Sequence, residues 1–226
     1  MPDTPRSIWL RRERSGRGPA PEHGRRDIAA AALALADADG LGAVSTRRVA
    51  AAIGAGATSL YRYVRNRDEL VELMLDTALG ELDLSVPATD DWSADMLALA
   101  DRLRALYRRH PWLLELAQRQ PPLTPHSVAL LEYALSLLSP VDAPGGAKME
   151  AIALLIGLTA QLTGVELTAG RSSEDWQAAQ LEYLTAVVTE GGHPHLAAAL
   201  AGPPGPAGDL LERVLPRVLA GALGRA

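Results

Sequence analysis

Apolar residues recur along this chain at three- and four-residue spacing, and no segment shows sustained every-other-residue alternation, so the pattern predicts helices alone. Ile28, Ala31, Ala32, Leu35 and Ala36 form one stripe and predict a first helix over residues 22–39, ended by Gly40. Val49, Ala50 and Ile53 make a smaller apolar face that stops at Gly54, with Ser45 or Thr46 placed to cap its start. Ala55 and Gly56 make a turn. A second short helix is predicted over about Ala57–Tyr63, with Leu60 and Val64 as its inward side; it is too short to hold itself without neighbours. Asn66-Arg67-Asp68-Glu69-Leu70 opens the next helix, with acids in its first turn where the dipole favours them. Leu70, Leu73, Met74, Thr77, Ala78 and Leu82 form its apolar side, and it ends before Pro87.

The rest of the chain continues in the same register. Helices are predicted over about 91–109, opened by Asp90 or Asp91 and stopped by Pro111, and over 112–119, ended by Pro121-Pro122. Another follows Thr124-Pro125, proline suiting a first turn, and carries Val128, Leu131, Leu135 and Leu138. A long helix spans 147–169 with Ile152, Leu155, Ile156, Thr159, Leu162 and Thr163. The next is capped by Ser172 or Ser173 and runs to about Thr189, where Gly191-Gly192 break it. After the Gly/Pro stretch 202–208, a last helix covers 209–223, with a kink expected at Pro216. The 147–169 and 209–223 helices are apolar almost all round, which predicts burial from every side. A central core helix or a seam shared by two copies satisfies that pattern.

The two short helices around Gly54 carry the candidate chemistry. With Leu60 and Val64 turned inward, Thr58, Ser59, Tyr61, Arg62 and Tyr63 share the other faces. Hydroxyls, aromatic rings and a guanidinium suit an edge-reading helix in a DNA major groove: arginine takes guanine, Ser and Thr bond bases or phosphate, and Tyr reaches phosphate. Helix pairs with a glycine turn also occur in helical proteins that never touch DNA.

Charge separates these readings. The net charge of the 226 residues is −5, which by itself argues against a nucleic-acid partner. Residues 1–67 nevertheless hold twelve arginines against six acids, a net of +6, while the remainder holds ten bases against 21 acids, a net of −11. A basic end on an acidic body is the electrostatic footprint of a chain that offers one end to a polyanion. Residues 1–21 are rich in Arg, Gly and Pro and read as a mobile arm, with Ser7-Ile8-Trp9-Leu10 as its one apolar island and Trp9 able to dock on the body. Arg11, Arg12, Arg14 and Arg17 are candidates for phosphates or a minor groove. Cysteine is absent, which excludes a disulfide framework, a thiolate nucleophile and cysteine metal ligation. No apolar run reads as a membrane span, and the start lacks the apolar core of a signal peptide, so a cytoplasmic protein is expected.

The stretch Ile28-Ala-Ala-Ala-Ala, then Asp39-Gly40, Ser45-Thr-Arg-Arg-Val-Ala, Ile53-Gly54, Ser59-Leu-Tyr-Arg-Tyr-Val and Asn66-Arg67-Asp68-Glu69-Leu70 resembles the tetracycline-repressor (TetR) family of bacterial transcription regulators. The resemblance covers residues 24 to about 80. Asp91-Trp92 and His110-Pro111-Trp112 look like the tetracycline-repressor type of C-terminal domain. The resemblance implies an all-α chain: the arm, a three-helix DNA-binding domain over 22–67, and a C-terminal ligand-binding and dimerisation domain over 68–226. It implies that Thr46, Arg47, Arg48, Thr58, Ser59, Tyr61, Arg62 and Tyr63 fall where the family reads bases and phosphates. Arg67 falls where a basic residue at the start of the next helix touches backbone. Ala57 is apolar where relatives can carry a base-reading side chain. A homodimer through the 147–169 and 209–223 helices, a double-stranded operator and a small-molecule effector are the implied partners. The fourth helix would join reader to sensor. The family's tetracycline–magnesium histidines cannot be placed here, so the effector stays open.

Pockets in helical bundles are apolar with a few convergent polar groups. Trp112, Tyr133, Gln161, Thr163, Glu166 and Trp176 are the side chains that qualify by type and position, Glu166 because an unpaired acid in an apolar helix is costly. No Gly-x-Ser-x-Gly elbow, phosphate loop or His-Glu-x-x-His is present, and neither a cofactor, a metal nor an enzymatic activity is expected. His193-Pro-His195 is too sparse for a metal site. Two rival classes remain: a helical carrier or enzyme that lost DNA binding, and a scaffold whose basic end meets an acidic protein.

Overall fold

A computed structural model describes residues 7–11, 23–117, 119, 121–169, 174–203, 205 and 208–225. Among these the chain is all-helical: α1 (Arg25–Asp39), α2 (Thr46–Ala52), α3 (Ala57–Leu60), α4 (Arg67–Leu79), α5 (Trp92–Arg109), α6 (Leu113–Ala117), α7 (Pro125–Leu137), α8 (Gly145–Ala169), α9 (Glu174–Thr189), α10 (Pro194–Ala201) and α11 (Leu210–Ala222). α1 packs on α2 and α4, and α2 on α3; α5, α7, α8 and α11 form the second body, with α4 also packed on α7 and α6 on α8.

The caps fall where the residue types place them. Ser45 Oγ accepts from Arg48 N at 3.3 Å, Asn66 Oδ1 from Glu69 N at 2.9 Å, and Thr124 Oγ1 from Ser127 N at 3.2 Å with Pro125 in the first turn. Asp91 opens α5, accepting from Ser93 N at 3.1 Å and Ala94 N at 3.0 Å. α5 then buries Met96, Leu99, Ala100, Leu103, Leu106 and Tyr107 at helical spacing. Full burial of each such side chain contributes about 2 kcal/mol, so one face of α5 fixes the second body.

Several expectations shift. α1 starts at Arg25 rather than 22, with Asp27 accepting from Gly24 N at 2.8 Å. Its buried stripe is Ile28, Ala29, Ala32 and Ala36, with Ala31 and Leu35 half-buried, because α1 serves α4 as well as α2. On α4, Thr77 is exposed and returns its hydroxyl to Leu73 O, while Val71, Leu75 and Leu79 join the core. α10 is an additional helix: it starts at Pro194, directly after the Gly191-Gly192 break that ends α9, and carries Leu196 and Leu200. α11 runs unbroken through Pro216. Ser172 and Ser173 lie outside the described residues. α8 corrects the membrane expectation: it is long and apolar enough to span one by length and composition. It is instead packed against α5, α6, α7 and α11.

Candidate functional site

Ser45 starts α2, and Gly54, at φ +69°, takes the left-handed backbone that ends it. Leu60 and Val64 sink beside Val49, Ala50 and Ile28. α3 is one turn shorter than its sequence suggests; beyond Leu60 the chain winds more tightly, with Arg62 N bonded to Ser59 O and Tyr63 N to Leu60 O. Burying Leu60 and Val64 leaves Arg47, Thr58, Ser59, Tyr61 and Arg62 exposed, with Thr46 and Tyr63 half-buried beside them. Tyr61 stands 56% exposed, a large ring with an OH handle presented to solvent.

Two of the expected reading residues serve the frame. Arg48 turns back to the Asp39 carboxylate and donates to Ala43 O at 3.4 Å. Arg67 donates to Leu41 O at 2.7 Å and Val44 O at 3.1 Å, pinning the α1–α2 connection to the start of α4. The arm also differs from expectation. Ile8 is fully buried, Trp9 half-buried, and Arg11 points inward to Glu69, which is itself buried and accepts from Arg65 N at 2.8 Å. Arg25 donates to Arg11 O at 3.3 Å. Arg11 is thus a structural ion-pair partner in the core and not a free phosphate ligand. Arg12, Arg14 and Arg17 lie outside the described residues.

The two bodies meet through polar side chains. His110, 3% exposed, sits between Asp37 of α1 (Nδ1 to Oδ1, 2.8 Å) and Glu81 just past α4 (Nε2 to Oε1, 3.2 Å). Trp112 Nε1 donates to the same Asp37 oxygen at 2.8 Å. Burial raises the Glu81 carboxyl, but donation from Arg109 and His110 outweighs it and holds the group below the usual carboxylate range.

Immediately after this junction, α6 walls an apolar cavity of about 160 Å³ in the second body. Leu75 and Leu79 of α4, Leu103 and Tyr107 of α5, Leu116 of α6 and Leu130 of α7 line it, and Pro121-Pro122 border it. α6 therefore touches the cavity on one side and, through His110 and Trp112, α1 on the other. A more open groove of about 540 Å³ lies between α6 and α8.

Comparison with known proteins agrees with this geometry. Residues 28–74 match the family model described as bacterial regulatory proteins, tetR family, and residues 84–222 match the tetracyclin repressor-like C-terminal domain. The chain belongs to the TetR family. It is similar to the HTH-type transcriptional repressor DrrR1 of Streptomyces coeruleorubidus, 34% identical over 95% of this chain and 82% of that one. Among solved structures it is similar to apo ActR from Streptomyces coelicolor, at 29% identity and TM-score 0.75 over 91% of this chain and 98% of that one. ActR in complex with actinorhodin gives 26% identity and TM-score 0.74 over 92% and 98%. As a TetR-family protein it is a helix–turn–helix transcription regulator.

None of the six side chains expected at a TetR-type pocket lines the apolar cavity. Trp112 is at the interdomain junction. Tyr133 bonds Val86 O at 2.9 Å and sits under the Arg102 guanidinium, clamping the α4–α5 connection to α7. Thr163 is buried and returns its hydroxyl to Thr159 O of its own helix. Glu166 pairs with Arg104 and Arg108 of α5, so its charge is compensated. Gln161 borders the open groove. Trp176 is exposed on α9. The actual cavity wall is ordinary Leu-rich helix face in the sequence; the one local signal is α6 itself, a five-residue helix bracketed by Pro111 and Pro121-Pro122.

Proposed function

We propose that this TetR-family protein is a homodimeric cytoplasmic repressor that holds a near-palindromic operator and releases it when a small molecule occupies the apolar cavity. Arg47, Thr58, Ser59 and Arg62 read base edges and phosphates, and Thr46, Tyr61 and Tyr63 add backbone contacts. Arg48 and Arg67 keep the reading unit in shape. The observation that carries this is the shared role of α6, which touches both the cavity and the α1 junction. At about 160 Å³ the cavity is below the ~300–1,000 Å³ of drug-sized ligand sites, so an effector of that size must push its wall outward. The short proline-bracketed α6 is the wall element with least to hold it, and displacing it strains the contacts to Asp37. Differential affinity for the displaced state then shifts the equilibrium away from the DNA-competent one.

The dimer reading rests on α8 and its neighbours. Met149, Leu154 and Val165 of α8 are exposed, and neither α9 nor α10 has a buried residue within one protomer. A second copy covering the α8–α11 side brings two reading helices to half-sites about 34 Å apart. A small-molecule effector is supported by likeness to ActR, whose complex with actinorhodin is solved. The test is binding to the DNA flanking the protein's own gene across a salt series, against random DNA of equal length. A preference for a short inverted repeat at two chains per site is expected; equal binding to both, repeated in selection from a random pool, removes the operator-reader reading. Within that assay Arg47→Ala relaxes sequence preference at its base and costs about 1–3 kcal/mol.

A further inference from the structure

Among the described residues only two side chains in the cavity wall carry polar atoms, Ser127 and Tyr107. Ser127 is committed to its own helix cap: Oγ accepts from Thr124 N at 2.7 Å and donates to Thr124 O at 2.9 Å. Tyr107 is 5% exposed, and among the described residues its hydroxyl has no hydrogen-bond partner. Burial is the sole influence on that phenol and pushes it up to about 12, so near neutral pH it is an uncharged donor. With no protein acceptor among the described residues, the Tyr107 hydroxyl is a donor open to a ligand. Among the described residues no Lys, Arg or His lines the cavity, so an anionic ligand finds no compensating charge there.

We propose that the effector is an uncharged, mainly apolar molecule with a core of about two fused rings, and that it presents one hydrogen-bond acceptor, such as a ring carbonyl, to the Tyr107 hydroxyl. This rests on the cavity being the effector site, and it adds what chemistry that site selects. The leucine-rich wall supplies shape and apolar contact; Tyr107 supplies orientation. An effector with larger substituents extends past α6 and carries the displacement described above.

The test uses the full-length protein and three probes on one bicyclic core: 1-tetralone, tetralin and tetralin-1-carboxylate, each titrated by calorimetry into the parent and into Tyr107→Phe. The substitution removes the hydroxyl and keeps the wall. It is expected to weaken 1-tetralone about three- to tenfold, the worth of one hydrogen bond, and to leave tetralin unchanged. The carboxylate is expected to bind the parent at least about tenfold more weakly than the ketone. If Tyr107→Phe weakens ketone and hydrocarbon alike, or neither, the assignment of Tyr107 is overturned while the cavity stands. Carboxylate binding as tight as the ketone overturns the requirement for a neutral ligand. If none of the three binds, the cavity reading falls and this inference with it.

Discussion

Trp112 Nε1 donates to Asp37 Oδ1 at 2.8 Å across 75 residues of sequence, joining the start of α6 to the last turn of α1. A carboxylate at a helix C-terminus opposes the dipole, so Asp37 depends on its outside donors. His110 Nδ1 meets the same oxygen at 2.8 Å. One acceptor thus holds both residues that flank Pro111, and it does so on the helix that supports the DNA reader.

Asp37→Asn keeps the shape and removes the charge that Trp112 donates to and His110 faces. Operator affinity without effector is expected to change little. The loss of operator affinity on adding effector is expected to shrink, since the two bodies are no longer tied. Fluorescence anisotropy with labelled operator, with and without effector, reads both quantities. An unchanged effector response in Asp37→Asn shows that coupling runs elsewhere, with the α4–α7 contact as the next candidate.

Arg11 offers a sharp choice between two roles. As partner of the buried Glu69, its loss leaves an uncompensated acid in the core, and Arg11→Ala is expected to lower stability by about 3 kcal/mol. The salt dependence of operator binding is expected to hold. A denaturation curve unmoved by the substitution, together with a salt slope reduced by about one, would make Arg11 a phosphate ligand after all.

Thr159 is fully buried in α8, and among the described residues its hydroxyl has no partner. Valine has the same shape without the polar atom. Thr159→Val is expected to stabilise the protein by about 1 kcal/mol, a rise of about 2–4 °C in melting temperature for a chain of this size. A melting temperature that stays level or falls means the hydroxyl is satisfied in solution.

Arg104 of α5 bridges Glu166 of α8 and Asp209, the residue that caps α11. Its hydrogen bonds are the chief reason that both carboxyls lie below the usual range. Depressed carboxyls stabilise the fold above the unfolded carboxylate range, about pH 4, and that contribution is lost as pH falls through the lower folded values. Melting temperature is therefore expected to hold from neutral pH down to about pH 5 and to drop below about pH 4. Glu166→Gln is expected to soften that acid-side drop; identical pH curves for parent and variant would remove Glu166 as its source.

The helix–turn–helix was legible because its information is local. Ser45, Gly54, Leu60 and Asn66 each fix a cap, a turn or a buried point within a few residues of themselves, and exposure of Thr58, Ser59, Tyr61 and Arg62 follows by subtraction. The same holds for the ends of α5 and α7, where Asp91, Thr124 and Pro125 state the boundary outright. The cavity was not legible. Leu75, Leu103, Tyr107 and Leu130 sit at the same helical spacing as any core residue, and spacing does not tell a filled interface from one that stops short.

Sequence by itself determined an all-helical chain, the place of its DNA reader, the basic-to-acidic split and membership of the TetR family through motifs that depend on neighbours in the chain. Tertiary structure alone decided which polar side chains are free. Arg11, Arg67, Trp112, Tyr133 and Glu166 all read as available from sequence, and each is engaged by a partner more than twenty residues away. Tyr107 reads as plain core and keeps an uncommitted hydroxyl. Long-range packing sets these outcomes: a polar group's partner is chosen by which helices meet, and a local pattern carries no record of that meeting.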